Sequence, residues 1–289
     1  MKTKSPGARL YVLLAREASV GLIFRRGPSK QTLLIRWDTA KDTFETGQWF
    51  KGRLYERRCD LSPDGGRLIY FAAKFREPLY AWTAISHPPY LTALALWPKG
   101  DCWNGGGRFV TPYDIILNHP HTEAELHPDF RKMPVRVAGH AEWRGEDDTV
   151  HEPVLTRDGW NLIDRGRWES ISAKAGGGWM ADPPELWRKA HPRERLTLEM
   201  ARVSIGRKGS AFYGWKFRVC DARQSEREAA WNAWDWADWD QRGNLVYSSG
   251  GELHRQPVLR SRLQPARLLV DFTELRYEAV KAPEWATHW

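Results

Sequence analysis

The densest set of side chains able to hold a metal ion lies in one short segment, Asn118-His119-Pro120-His121-Thr122-Glu123-Ala124-Glu125-Leu126-His127. Imidazole and carboxylate together suit zinc or a similar ion. The spacing matches no helix-borne ligand motif, because Pro120 breaks any helix between the first two histidines. A polar surface loop is the plainer expectation, and no metal or other cofactor is assigned. Two glycine triplets, Gly105-Gly106-Gly107 and Gly176-Gly177-Gly178, lack the Lys-Ser or Lys-Thr that follows a phosphate loop, so both read as flexible turns. No Gly-x-Ser-x-Gly elbow is present, and Cys59, Cys102 and Cys220 carry no local signature of a catalytic thiol. No catalytic residue is assigned. Asp60, Asp64, Asp238 and Asp240 recur beside turns. Their oxygens suit calcium in principle, but an Asp in a turn more simply accepts its own backbone N–H groups.

Contact chemistry is better represented. The segment Trp49-Phe50-Lys51-Gly52-Arg53-Leu54-Tyr55-Glu56-Arg57-Arg58 combines aromatic rings with guanidinium groups, the types that dominate binding hot spots. Trp49, Arg53, Arg57 and Arg58 are its candidate contact residues. A second candidate is Trp97-Pro98-Lys99-Gly100-Asp101-Cys102-Trp103-Asn104, where Trp97 and Trp103 flank a glycine-bearing loop. The alternative for both is core packing with solvated arginines.

The elements that position these residues are strands. Leu10 to Ala15 with Val20 to Arg25, Gln31 to Trp37, Arg57 to Leu61 with Arg67 to Ala73, and Leu196 to Ile205 with Ala211 to Cys220 read as β-rich runs around turns. Tyr80 to Ile85, Tyr90 to Trp97, Arg108 to Leu117, Pro134 to Ala141, Trp234 to Asp240, Asn244 to Ser248, Glu252 to Arg255 and Arg267 to Asp271 extend the series. Asp158-Gly159 predicts a hairpin between Val154 to Arg157 and Trp160 to Asp164. Two stretches read as short helices: Glu226 to Ala233 behind a Ser225 cap, and Pro184 to Ala190 with proline at its start and cations at its end.

One phrase repeats. Arg58-Cys59-Asp60-Leu61-Ser62-Pro63-Asp64-Gly65-Gly66-Arg67-Leu68-Ile69-Tyr70 aligns with Trp236-Ala237-Asp238-Trp239-Asp240-Gln241-Arg242-Gly243-Asn244-Leu245-Val246-Tyr247: strand, polar turn with glycine, apolar strand. These phrases resemble the repeats of TolB-type and WD40-like β-propellers, although no Gly-His dipeptide accompanies the Trp-Asp pairs. The chain as a whole also resembles a group of bacterial proteins, a likeness that transfers no site. The resemblance implies an all-β, single-domain propeller over residues 1–289. With blades of roughly 40–45 residues, five are expected, six or seven being the alternatives. Leu10 to Ala15 and Arg267 to Asp271 are expected to share one blade, and the Trp-bearing C-terminal tail to dock.

Composition bounds the function. A hydrophobic share of 42% supports a core, and 17 Trp exceed ordinary usage and suit the packing of flat rings between sheets. The net charge of +8 permits an acidic protein, nucleic acid or an anionic surface as partner. Its cations are dispersed, densest at Arg25-Arg26, Arg57-Arg58 and Arg188-Lys189. Three scattered Cys exclude a disulfide framework and suit a reducing cytoplasm. No apolar run is long enough to span a bilayer, so no membrane partner is expected. The expected function is a cytoplasmic protein–protein interaction platform. A hydrolase with its site at the channel mouth and nucleic-acid binding through a basic face are the alternatives.

Overall fold

Two apolar runs, Leu68–Ala73 and Ala81–Ser86, are buried at every position. A strand reads as continuous rather than alternating apolar sequence when both sheet faces are covered. In the computed structural model, which describes residues 7–27, 30–130, 132–142, 145–221 and 229–289, these two strands are the centre of the N-terminal unit. The class is all-β, with 46% strand against 9% helix. Backbone contacts divide the chain into two compact units, one of residues 1–154 with 272–289 and one of 155–271.

In the first unit β1 (Arg9–Leu14), β2 (Val20–Arg26), β3 (Gln31–Asp38) and β4 (Thr43–Lys51) form an antiparallel meander in chain order. Next come β5 (Arg53–Leu54), β6 (Asp60–Leu61), β7 (Leu68–Ala73), β8 (Ala81–Ser86) and β9 (Ala95–Lys99), with β5 and β6 both pairing β7. A third sheet holds β10 (Gly107–Phe109), β11 (Asp114–Leu117) and β12 (Arg136–His140). The β7 side chains alternate between two cores. Leu68, Tyr70 and Ala72 join Leu22, Phe24 and Leu34 of the first sheet. Ile69 joins Phe109, Ile115 and Leu117 of the third. The second sheet is thus packed on both sides.

In the second unit β13 (Trp160–Asp164), β14 (Trp168–Ser170), β15 (Trp179–Ala190), β16 (Leu196–Ile205) and β17 (Tyr213–Asp221) form one antiparallel sheet. A further sheet runs β18 (Trp236–Trp239), β19 (Leu245–Ser249), β20 (Glu252–Gln256), then β23 (Arg267–Asp271), with the hairpin β21 (Val258–Leu259) and β22 (Arg262–Leu263) inserted before the last. Trp160, Trp187, Leu198 and Phe217 of one sheet pack with Ala237, Trp239 and Leu245 of the other.

Four expectations change. Pro184 to Ala190 is not a helix but the second half of β15. Trp187 is drawn into the core and the register shifts between Met180 and Glu185, so packing overrides helix propensity. Val154 to Arg157 is not a strand but the end of α1 (Asp148–Arg157), and Asp158-Gly159 closes that helix with Gly159 at φ +90. Arg108 to Leu117 is not one strand but two, β10 and β11, paired antiparallel around residues 110–113, and β12 then pairs β11 in parallel. Strand β1 belongs to the first sheet and β23 pairs β20, so the two strands share no sheet.

Of the Glu226 to Ala233 helix, Glu226 to Glu228 lie outside the described residues, and Asn232 bridges Phe217. The C-terminal tail docks as expected. Ala286 is fully buried, Trp285 meets the rings of His87 and Tyr90, and Trp289 packs on the Ile69 core. No helix among the described residues is long and apolar enough to cross a membrane.

Candidate functional site

Strand β2 ends in two arginines, and pleat alternation sends them opposite ways. Arg25 is buried and donates to the carbonyls of Phe272 (3.1 Å), Thr273 (2.7 Å) and Gly27. Burial lowers its pKa, with the Glu274 charge opposing. Arg26 turns outward and donates through Nη1 to both Glu56 oxygens at 2.9 Å. Gly52 brings the chain back alongside, donating its N–H to the Lys30 carbonyl at 3.0 Å. A Cβ there would lie 2.5 Å from the Phe50 ring and 2.6 Å from the Ala73 oxygen, so only glycine fits. Arg53 follows, paired with Ala73.

Between these segments lies a cleft of about 330 Å³, lined among others by Arg9, Arg26, Lys30, Gln31, Thr32 and Arg53. Four of its side chains are cationic, and among the described residues no carboxylate lines it. Beside it stands Glu56, engaged by Arg26 and, at 3.4 Å, by Arg57. Burial pushes the Glu56 carboxyl up, but Arg26, Arg57 and Arg53 outweigh it and hold the pKa below the usual carboxylate value. Arg53 carries the opposite strain. Burial first and the Arg26 charge second lower its pKa, its Nε meets no acceptor among the described residues, and its guanidinium lies 5.1 Å from the Tyr55 ring centre. Such a ring of cations favours an anionic guest, since each guanidinium presents charge-assisted donors in a planar fork.

The residues singled out by sequence separate. Arg53 lines the cleft and Arg57 borders it through Glu56, with Tyr11 beneath its guanidinium at 5.1 Å. Arg58 does not present itself. It is 1% exposed and bonds Asp147 (2.5 Å), Glu146 (3.1 Å) and the carbonyls of Cys102 and Asn104 (2.7 and 2.6 Å). Trp97, also 1% exposed, fills the core between the second and third sheets. Both are therefore corrected from contact to structural residues. Trp49 packs by Tyr277 of the tail, with Arg25 5.5 Å from its ring centre. Trp103 is exposed, as its loop position suggested. Arg9 and Lys30 were missed. Arg26 was visible only as half of a basic doublet.

The histidine segment resolves differently. His119 is buried, with Nδ1 3.0 Å from the Glu123 carbonyl and Nε2 2.8 Å from the Thr83 hydroxyl. Thr83 Oγ1 accepts the Gly106 N–H at 2.6 Å. The network assigns the His119 proton to Nδ1 and leaves Nε2 to accept. Burial lowers its pKa to about 4, so it is neutral at pH 7. The His121 and His140 rings meet at 3.8 Å, and among the described residues no group of three or more ligands is placed to hold a metal ion. The first glycine triplet is tightly packed rather than loose. A Cβ at Gly105 would lie 2.2 Å from Phe71 and one at Gly106 2.0 Å from the Arg58 oxygen. Two of the four turn aspartates act on their own turns: Asp64 accepts the Gly66 N–H, and Asp240 those of Arg242 and Asn244; Asp60 and Asp238 also reach distant strands, Asp60 accepting the Phe109 N–H at 2.8 Å and Asp238 the Lys189 ammonium at 2.6 Å.

Comparison with protein-family models and with curated proteins finds no match to this chain.

Proposed function

We propose that the protein is a cytoplasmic β-propeller acting as a protein–protein interaction platform, and that its contact site is the cation-ringed cleft, which takes an acidic segment of the partner. The observation that carries the reading is the convergence of Arg9, Arg26, Lys30 and Arg53 on one cleft with no lining carboxylate among the described residues. Among the described residues Glu56, held by Arg26, is the carboxylate paired with this cluster, so a surplus of positive charge remains that an anionic guest relieves. The propeller element is supported by chain-order antiparallel pairing in the sheets, the parallel β11–β12 pair apart, and by one sheet packed on both faces; each of the five sheets of three or more strands is read as one blade. The compartment is supported by three cysteines that all stand as thiols.

The test is fluorescence anisotropy of a labelled Asp/Glu-rich peptide against a neutral peptide of equal length. The acidic peptide binds, salt weakens it, and Arg26→Ala with Arg53→Ala lowers affinity by about tenfold or more. Equal binding of both peptides, or affinity untouched by the double variant, overturns the site. Tighter binding of random duplex with a steep salt slope transfers the cleft to nucleic acid instead.

A further inference from the structure

The second unit carries a different surface. At one end of its larger sheet two loops lie together, 171–178 before β15 and 206–212 before β17. Lys208 donates its N–H to the Gly176 carbonyl at 3.1 Å. Gly178 sits so close to the other loop that a Cβ would lie 2.4 Å from the Ile205 oxygen. This shared end exposes three large apolar side chains: Trp179 and Phe212 at 49% and Met180 at 42%. Lys174, Arg207 and Lys208 stand in the same loops, and residues 171–180 and 205–213 contain no Asp or Glu.

We propose that this end of the sheet docks on an anionic lipid surface, with Trp179, Met180 and Phe212 entering the headgroup–acyl boundary and Lys174, Arg207 and Lys208 meeting the lipid charges. Two observations select this occupant. The charge is of one sign throughout both loops, complementary to an acidic leaflet. Trp179 and Met180 are successive strand residues, so they leave the strand on opposite faces, yet both are exposed. A flat protein or a stacked base covers one face, whereas an interfacial medium surrounds both. Met180 offers no ring for a base to stack on but adds apolar area to an inserted tip.

The experiment is co-sedimentation of the full chain with vesicles of phosphatidylcholine alone and of phosphatidylcholine mixed with phosphatidylserine. Binding to the mixed vesicles only is expected. Replacing Lys174, Arg207 and Lys208 together by Ala lowers it about 100-fold. Trp179→Ser with Phe212→Ser lowers it by about tenfold or more with all three cations kept. Arg26→Ala with Arg53→Ala, at the cleft of the other unit, leaves it unchanged, so failure here and failure of the cleft reading are separable. Absence of binding to mixed vesicles overturns the proposal. So does binding that survives loss of both rings, which is adsorption of a basic chain, or binding to single-stranded oligonucleotide in place of vesicles.

Discussion

Two clusters of arginines, one in each unit, are used in opposite ways. In the second unit Arg188, Glu199 and Arg218 stand in one cross-strand row of β15, β16 and β17. Glu199, 1% exposed at its side chain, accepts from Arg188 at 2.8 and 2.6 Å and from Arg218 at 2.6 Å. Beside it Arg202 clasps Glu185, whose other oxygen accepts from Trp187 Nε1 at 2.8 Å. In the first unit Arg9, Arg26, Lys30 and Arg53 share a cleft that no carboxylate lines among the described residues. One arrangement closes its charges on itself, whereas in the other Glu56 pairs with Arg26 and a surplus of positive charge remains. The abundance of a residue type therefore says little about binding; whether its counter-charge is built into the same fold says more.

The largest expected effect tests that contrast directly. Glu199→Ala leaves two guanidiniums facing each other over a buried gap, a change that costs about 3–5 kcal/mol where one partner of a buried pair is removed. Arg188, at 33% side-chain exposure, recovers some hydration, so the lower part of the range is expected in urea unfolding. Arg53→Ala, at the cleft, should shift the same transition by no more than about 1 kcal/mol. If the two variants cost alike, the cleft cations are structural and the comparison fails.

A second test uses pH. His119 is buried neutral with its pKa lowered to about 4 by burial, against an ordinary value near 6.5. A lowered histidine pKa means that the unfolded chain binds the proton first. Its contribution is full above about pH 6.5, falls as pH drops towards 4, and is then exhausted. The integrated loss is about 3 kcal/mol. Unfolding measured at successive pH values should show this slope in the wild type and lose it in His119→Gln. A slope that persists in the variant assigns the titration elsewhere.

Much of this architecture was legible in the sequence. The turn phrases at Gly65 and Gly243 mark real hairpins, because polar turn residues and flanking apolar runs act locally. What failed was decided by distant packing. Helix propensity in Pro184 to Ala190 yields to the core position of Trp187, and the parallel pairing of β12 has no local signal. The site was half legible. Arg53 announces its chemistry and Arg26 shows only as half of a doublet, but Arg9 and Lys30 join them only through strand pairing across β1, β2 and β3. The doublet Arg25-Arg26 splits into one inward and one outward side chain, and Arg58 is buried beside an only partly buried Arg57. Sequence shows the doublet and not which member faces the guest.

The smallest effect concerns turns. Gly65 in the first unit and Gly209 in the second both have positive φ, at +70 and +81. An alanine in the left-handed region costs about 1–2 kcal/mol by backbone sterics alone. At Gly209 nothing lies within 4 Å of an added Cβ, so Gly209→Ala reads that backbone cost by itself. At Gly65 the added carbon would lie 2.8 Å from Val20 Cβ, and the Gly65 carbonyl accepts from Arg36 Nη1 at 3.0 Å. The Ser62-Pro63-Asp64-Gly65 turn is therefore fastened to the first sheet as well as to its own hairpin. Gly65→Ala should exceed Gly209→Ala by about 1 kcal/mol, the cost of forcing an extra methyl into packed surroundings. Equal losses would mean that Val20 gives way freely, and the turn would then be a local device with no part in joining the first two sheets.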